Sequence, residues 1–134
     1  MLRLSASTCF LVFFRLTLAL LGAVVATGLK AKRAAHLTCV VLTVAALGAT
    51  VHYAYGLGKL YDLAGAGWIT PVHLTLARVN TVALLVPVAT GVRTLFVPAT
   101  KPLHRRMAFL VIGLTVVTAA TGAWMLYLAP KFPA

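Results

Sequence analysis

The chain has 134 residues, 62% hydrophobic and only 10% charged, which excludes an ordinary soluble domain and describes a polytopic membrane protein. Twelve Lys and Arg against one acid, Asp62, give a formal net charge of +11. These cations border apolar runs, so lipid headgroups and membrane subunits with acidic surfaces are the expected partners, and nucleic acid is not.

The first apolar segment covers about residues 8–29. Arg15 interrupts what would be the apolar region of a signal peptide, and the run continues into a basic loop with no clear cleavage site, so a membrane span is expected. Lys30, Lys32 and Arg33 precede the second span, about residues 34–57, which carries His36 at one end and His52 at the other. At about 1.5 Å per residue these imidazoles stand roughly 24 Å apart, most of the thickness of a hydrocarbon core. The Gly-rich stretch from Gly58 to Gly67 reads as a loop. Thr70 and Pro71 then give an N-cap and a first-turn proline for a third span, about residues 70–97, that holds His73, Arg78 and an internal Pro87. Pro87 should kink that helix and leave the Ala83 carbonyl without its usual donor. Pro98 and Pro102 bracket a short loop, and the fourth span, about residues 104–128, begins at His104 and ends before Pro130 and Pro133. Cys9 and Cys39 lie inside apolar runs without C-x-x-C spacing and read as small fillers.

Four spans make an all-α integral membrane four-helix bundle, a single transmembrane domain over residues 1–134. The loops joining spans one to two and three to four carry Lys30, Lys32, Arg33, Arg93, Lys101, Arg105 and Arg106, and the opposite face carries Arg3, Lys59 and Lys131. The positive-inside rule therefore puts both termini on the outer side, as for a multi-pass protein of a bacterial inner membrane. Tyr53, Tyr55, Tyr61, Trp68, Trp124 and Tyr127 all fall at the outer ends, where interfacial aromatics gather.

An internal repeat runs through this pattern. Arg15 to Lys30 aligns with Arg78 to Arg93, and Ala26-Thr27-Gly28 matches Ala89-Thr90-Gly91. With the second loop five residues longer, His36 aligns with His104. A duplicated helical hairpin is expected, with His36 and His104 as equivalent residues at the inner end. Two such neutral imidazoles suit the axial positions of one haem b. His52 and His73 match in depth but not in the repeat, since Phe10 aligns with His73. Against this stands a plainer role, in which histidines at helix ends, His104 before Arg105 and Arg106 among them, act as interfacial anchors.

Arg15 and Arg78 sit roughly 20 Å from the inner ends of their helices, within the outer half of the core. Charges there are costly and are usually paired, and the chain offers only Asp62, in a loop. Counter-anions should come from haem propionates, lipid phosphates or a partner's carboxylates, unless both guanidinium groups snorkel to the outer headgroups.

Over Lys30 to Leu128 the pattern resembles small b-type cytochromes of the cytochrome b561 and ferric-reductase-like kind, and Lys101-Pro102-Leu103-His104-Arg105 is similar to their basic loop and His-Arg helix start. The resemblance implies a four-helix core holding haem between histidines near both faces. One departure is visible: the step from His36 to His52 turns the helix by about 160°, so the two point to different sides. One haem, on His36 and His104, therefore fits better than two, the second on His52 and His73.

The expected function is that of an electron-transfer subunit within a larger respiratory or photosynthetic complex, with quinone as a possible redox partner and no stand-alone catalytic site. The other reading is an accessory subunit with no cofactor, packing through small-residue rows such as Ala45-x-x-x-Ala49 and Thr118-x-x-x-Gly122. A proton-coupled exporter is disfavoured, because no carboxylate lies within a span. The same lack of acids leaves no orienting group for a hydrolytic triad.

Overall fold

A computed structural model describes residues 5–132; Arg3 and Pro133 lie outside the described residues. The regular elements are helical: α1 (Ala6–Leu29), α2 (Arg33–Gly58), α3 (Ile69–Ala83), α4 (Leu85–Phe96) and α5 (Lys101–Leu128), with short 3-10 turns at Ala64–Ala66 and Pro98–Thr100. Four stretches, Ala6–Leu29, Arg33–Gly58, Ile69–Phe96 and Pro98–Leu128, are each long and apolar enough to cross a membrane. Val41, Leu42 and Val44 on α2, like Leu110, Val116 and Val117 on α5, are exposed.

The chain divides into two compact units, Met1–Tyr61 and Asp62–Ala134. The first is the α1–α2 hairpin. Ser5 caps α1 by accepting the Thr8 amide at 3.2 Å, which starts the helix earlier than the sequence suggests. At the other end the Lys32 amide donates to the Thr27 carbonyl at 3.1 Å and the Ala31 amide to Gly28 at 3.3 Å, a Schellman closure. That closure needs a left-handed residue, and Ala31 supplies it at φ 53°. Between the helices Phe13 stacks on Tyr53 at 5.5 Å, and the buried hydroxyls of Thr17 and Thr50 meet at 3.0 Å.

The second unit packs α3 and α4 against α5. Leu84 separates α3 from α4, just before Pro87, so the third span is interrupted where the proline deprives the helix of a donor. Buried Asn80 accepts the Thr115 hydroxyl through Oδ1 at 3.1 Å. The start of α3 departs from expectation. Its first residue is Ile69, the most buried side chain at 1% exposure, and Thr70 lies inside the first turn, where its hydroxyl donates to the Leu63 carbonyl. Burial of Ile69 thus outweighs the local cap preference of Thr70, and Pro71 still falls among first-turn positions that need no amide donor. The preceding loop is tied back to the end of α5: the Asp62 amide donates to the Pro130 carbonyl at 2.8 Å, and Asp62 Oδ1 accepts the Gly65 amide at 3.2 Å. Trp68 and Trp124 meet edge to face at 5.3 Å.

Candidate functional site: histidines seated on Thr-Gly steps

His36 is the fourth residue of α2 and His104 the fourth of α5. Each half-buried ring turns back onto the helix before it, toward the sequence elements that match in the repeat. In the first hairpin the His36 Nδ1–H donates to the Val24 carbonyl at 3.0 Å and lies 3.4 Å from the Thr27 hydroxyl. A Cβ on Gly28 would come within 3.2 Å of the ring, so glycine makes room for the imidazole. In the second hairpin His104 Nδ1 lies 3.2 Å from the Thr90 hydroxyl, and a Cβ on Gly91 would stand 3.1 Å from Cε1.

A third seat was not read from the sequence. His73, on α3, has its Nδ1 3.2 Å from the Thr121 hydroxyl of α5. A Cβ on Gly122 would fall only 2.7 Å from His73 Cε1. The signal was present, since Ala120-Thr121-Gly122 is a third copy of the tripeptide noticed at residues 26–28 and 89–91. The Thr118-x-x-x-Gly122 row receives His73 within its own hairpin, at Gly122.

The threonines also bond to their own helices. Thr27 donates to the Ala23 carbonyl at 2.7 Å, with Val24 at 3.2 Å; Thr90 to Val86 at 2.8 Å, with Pro87 at 3.3 Å; and Thr121 lies 3.0 Å from both Val117 and Thr118. A hydroxyl has one hydrogen, and each of these three has a carbonyl of its own helix within reach. A threonine that donates to its own helix accepts from the histidine, as a carbonyl must. At His36 the Val24 carbonyl, 3.0 Å from Nδ1, can only accept, so a neutral ring there carries its hydrogen on Nδ1 and its lone pair on Nε2. An imidazole oriented in this way, by an Nδ1–H bond to a carbonyl or hydroxyl, has the chemistry of a metal or haem ligand.

The remaining expected site residues are arranged differently. His52 is exposed on α2, with its ring edge on Tyr53 at 5.2 Å, and no Thr-Gly step receives it. Where the second hairpin has His73, Thr121 and Gly122, the repeat puts Phe10, Tyr53 and Ala54 in the first, so the imidazole, the threonine and the glycine are absent together. Arg15 and Arg78 are exposed, and neither has a hydrogen-bond or ion-pair partner among the described residues. Among the described residues no group of three or more His, Cys, Asp or Glu could hold a metal ion, so any ligation here would use one or two imidazoles. Cys9 and Cys39 are unpaired and half-buried.

Comparison with family models, curated proteins and solved structures finds no match to this chain.

Proposed function

We propose that this protein is a membrane electron-transfer subunit that binds b-type haem through His36 and His104, as part of a larger respiratory or photosynthetic complex. The observation that carries the reading is the shared seat of the two rings. Each sits in the first turn of its helix on a Thr-Gly step, with Nδ1 facing the threonine hydroxyl and the ring against the glycine. Bound haem would supply one-electron Fe(III)/Fe(II) chemistry. The chain's own residues would hold the ligands: Val24, Thr27 and Thr90 fix the imidazole planes, and Gly28 and Gly91 let them lie against the neighbouring helix.

The finer architecture belongs to the same reading. The two hairpins form one duplicated four-helix bundle in a bacterial inner membrane, with both termini outside and quinone among the possible redox partners. His73 shares the ligand-type seat and His52 does not, which favours one haem over two.

A second reading rests on the same contacts. The Thr-Gly seats also serve as interhelical latches, and an accessory subunit without cofactor would use them only to hold its hairpins. A dithionite-reduced minus oxidised absorption spectrum of the purified chain separates the two. Sharp b-type bands that disappear in both His36→Ala and His104→Ala, with the helical content unchanged, are expected. A flat spectrum from folded, fully assembled protein leaves the latch role alone.

A further inference from the structure

Arg15 is the tenth residue of α1 and Arg78 the tenth of α3. Two residues further on, Thr17 faces Thr50 and Asn80 faces Thr115, each within its own hairpin. Two residues turn a helix by about 200°, so each arginine stands on the face turned away from its hairpin partner. Both are exposed in an apolar setting: Leu11, Val12 and Leu18 surround Arg15, and Leu74 and Val82 flank Arg78 along the helix, all five exposed. The only acid of the chain does not serve them from within the spans, because Asp62 belongs to the loop before α3 and accepts the Gly65 amide.

Depth decides which anion fits. In a helix spanning Ala6–Leu29 the Arg15 Cα lies about 4 Å from the midpoint, hence about 11 Å inside the edge of a roughly 30 Å core. For Arg78 in the Ile69–Phe96 span the same reckoning gives about 8 Å. A snorkelling arginine carries its charge about 6 Å from its Cα, which leaves the Arg15 guanidinium about 5 Å and the Arg78 guanidinium about 2 Å inside the hydrocarbon edge of a centred span. An unpaired charge at that depth is costly, and a carboxylate offers it a short bidentate pair.

We propose that Arg15 and Arg78 are ion-pair sites for carboxylates borne by transmembrane helices of a partner protein, each docking on the exposed apolar face around one arginine. The proposal requires that the helices span a membrane but not that haem is bound.

The test uses the full chain, donor-labelled, in phosphatidylcholine nanodiscs, with an acceptor-labelled polyleucine transmembrane peptide. The peptide carries one Glu, or one Gln as control, at the depth of Arg15. Energy transfer should report the Glu peptide binding about tenfold more tightly than the Gln peptide. The preference should fall by about half in Arg15→Leu or Arg78→Leu alone and vanish in the double variant, with helicity unchanged. Equal binding of the two peptides, or a preference that survives the double change, overturns the proposal. So does loss of the preference when phosphatidylglycerol replaces half the lipid, because lipid phosphate would then be the occupant. The readout uses no haem absorption, so a colourless protein that keeps the Glu preference would end the cytochrome reading and leave this one standing.

Discussion

Gly122 and His73 approach so closely that a Cβ added to Gly122 would stand 2.7 Å from Cε1 of the ring. The corresponding approaches are 3.2 Å for Gly28 to His36 and 3.1 Å for Gly91 to His104. Three glycines thus act as sockets for three imidazoles, and the tightness of each socket ranks the cost of filling it.

Gly122→Ala should therefore be the most damaging of the three glycine changes. Overpacking of this kind costs about 1–3 kcal/mol, because α3 must back away from α5 or His73 must leave its rotamer. Gly28→Ala and Gly91→Ala should cost less, since the rings need to give by only a few tenths of an ångström. Thermal unfolding of the detergent-solubilised protein followed by circular dichroism gives the order; equal midpoints for all three variants would count against the sockets.

Thr17 and Thr50 should be energetically coupled. Their hydroxyls meet at 3.0 Å, and each also donates or can donate to its own helix, Thr17 to Phe13 at 2.8 Å and Thr50 to Ala46 at 2.9 Å. A double-mutant cycle with Thr17→Val and Thr50→Val should return about 0.6 kcal/mol, the usual value for such bonds between membrane helices, and not more than about 1.7. Strict additivity would mean that the two side chains are held by packing alone.

The interruption at Leu84 should depend on Pro87. Pro87→Ala restores an amide donor and removes the ring that crowds the preceding turn. Hydrogen exchange should then slow over residues 83–88, with little change in α5. Unchanged exchange would show that packing against α5 holds the break.

Two loop positions should respond in opposite directions. Ala31 carries the left-handed conformation of the α1 closure at φ 53°, so Ala31→Gly should stabilise by up to about 1 kcal/mol, the side-chain strain outweighing glycine's extra entropy in the unfolded chain. Gly67 has φ 74° and ψ −142°, a region open almost only to glycine, and Gly67→Ala should cost about 1–3 kcal/mol. Paired thermal melts test both signs.

Much of the molecule follows from one-dimensional features. Apolar runs of span length, broken by basic clusters and prolines, dictated four membrane-length helices, because backbone groups in lipid must bond within their own segment. The same reasoning located the break near Pro87, since a missing amide is a local fact of the chain. The Ala-Thr-Gly and His elements align within the sequence, but that Gly28 and Gly91 lie against the rings of His36 and His104 shows only in three dimensions.

What the sequence could not decide is which side chains meet across helices. The seat of His73 joins residues of α3 and α5 that lie far apart in the chain, and the Thr17–Thr50 and Asn80–Thr115 bonds are of the same kind. Such contacts depend on the rotation and separation of packed helices, which a periodic apolar pattern leaves open when every face is apolar enough for lipid. The start of α3 shows the same limit. A local signal favoured Thr70 as the cap, but burial of Ile69 and the hold of Leu63 on the Thr70 hydroxyl set the helix start two residues earlier.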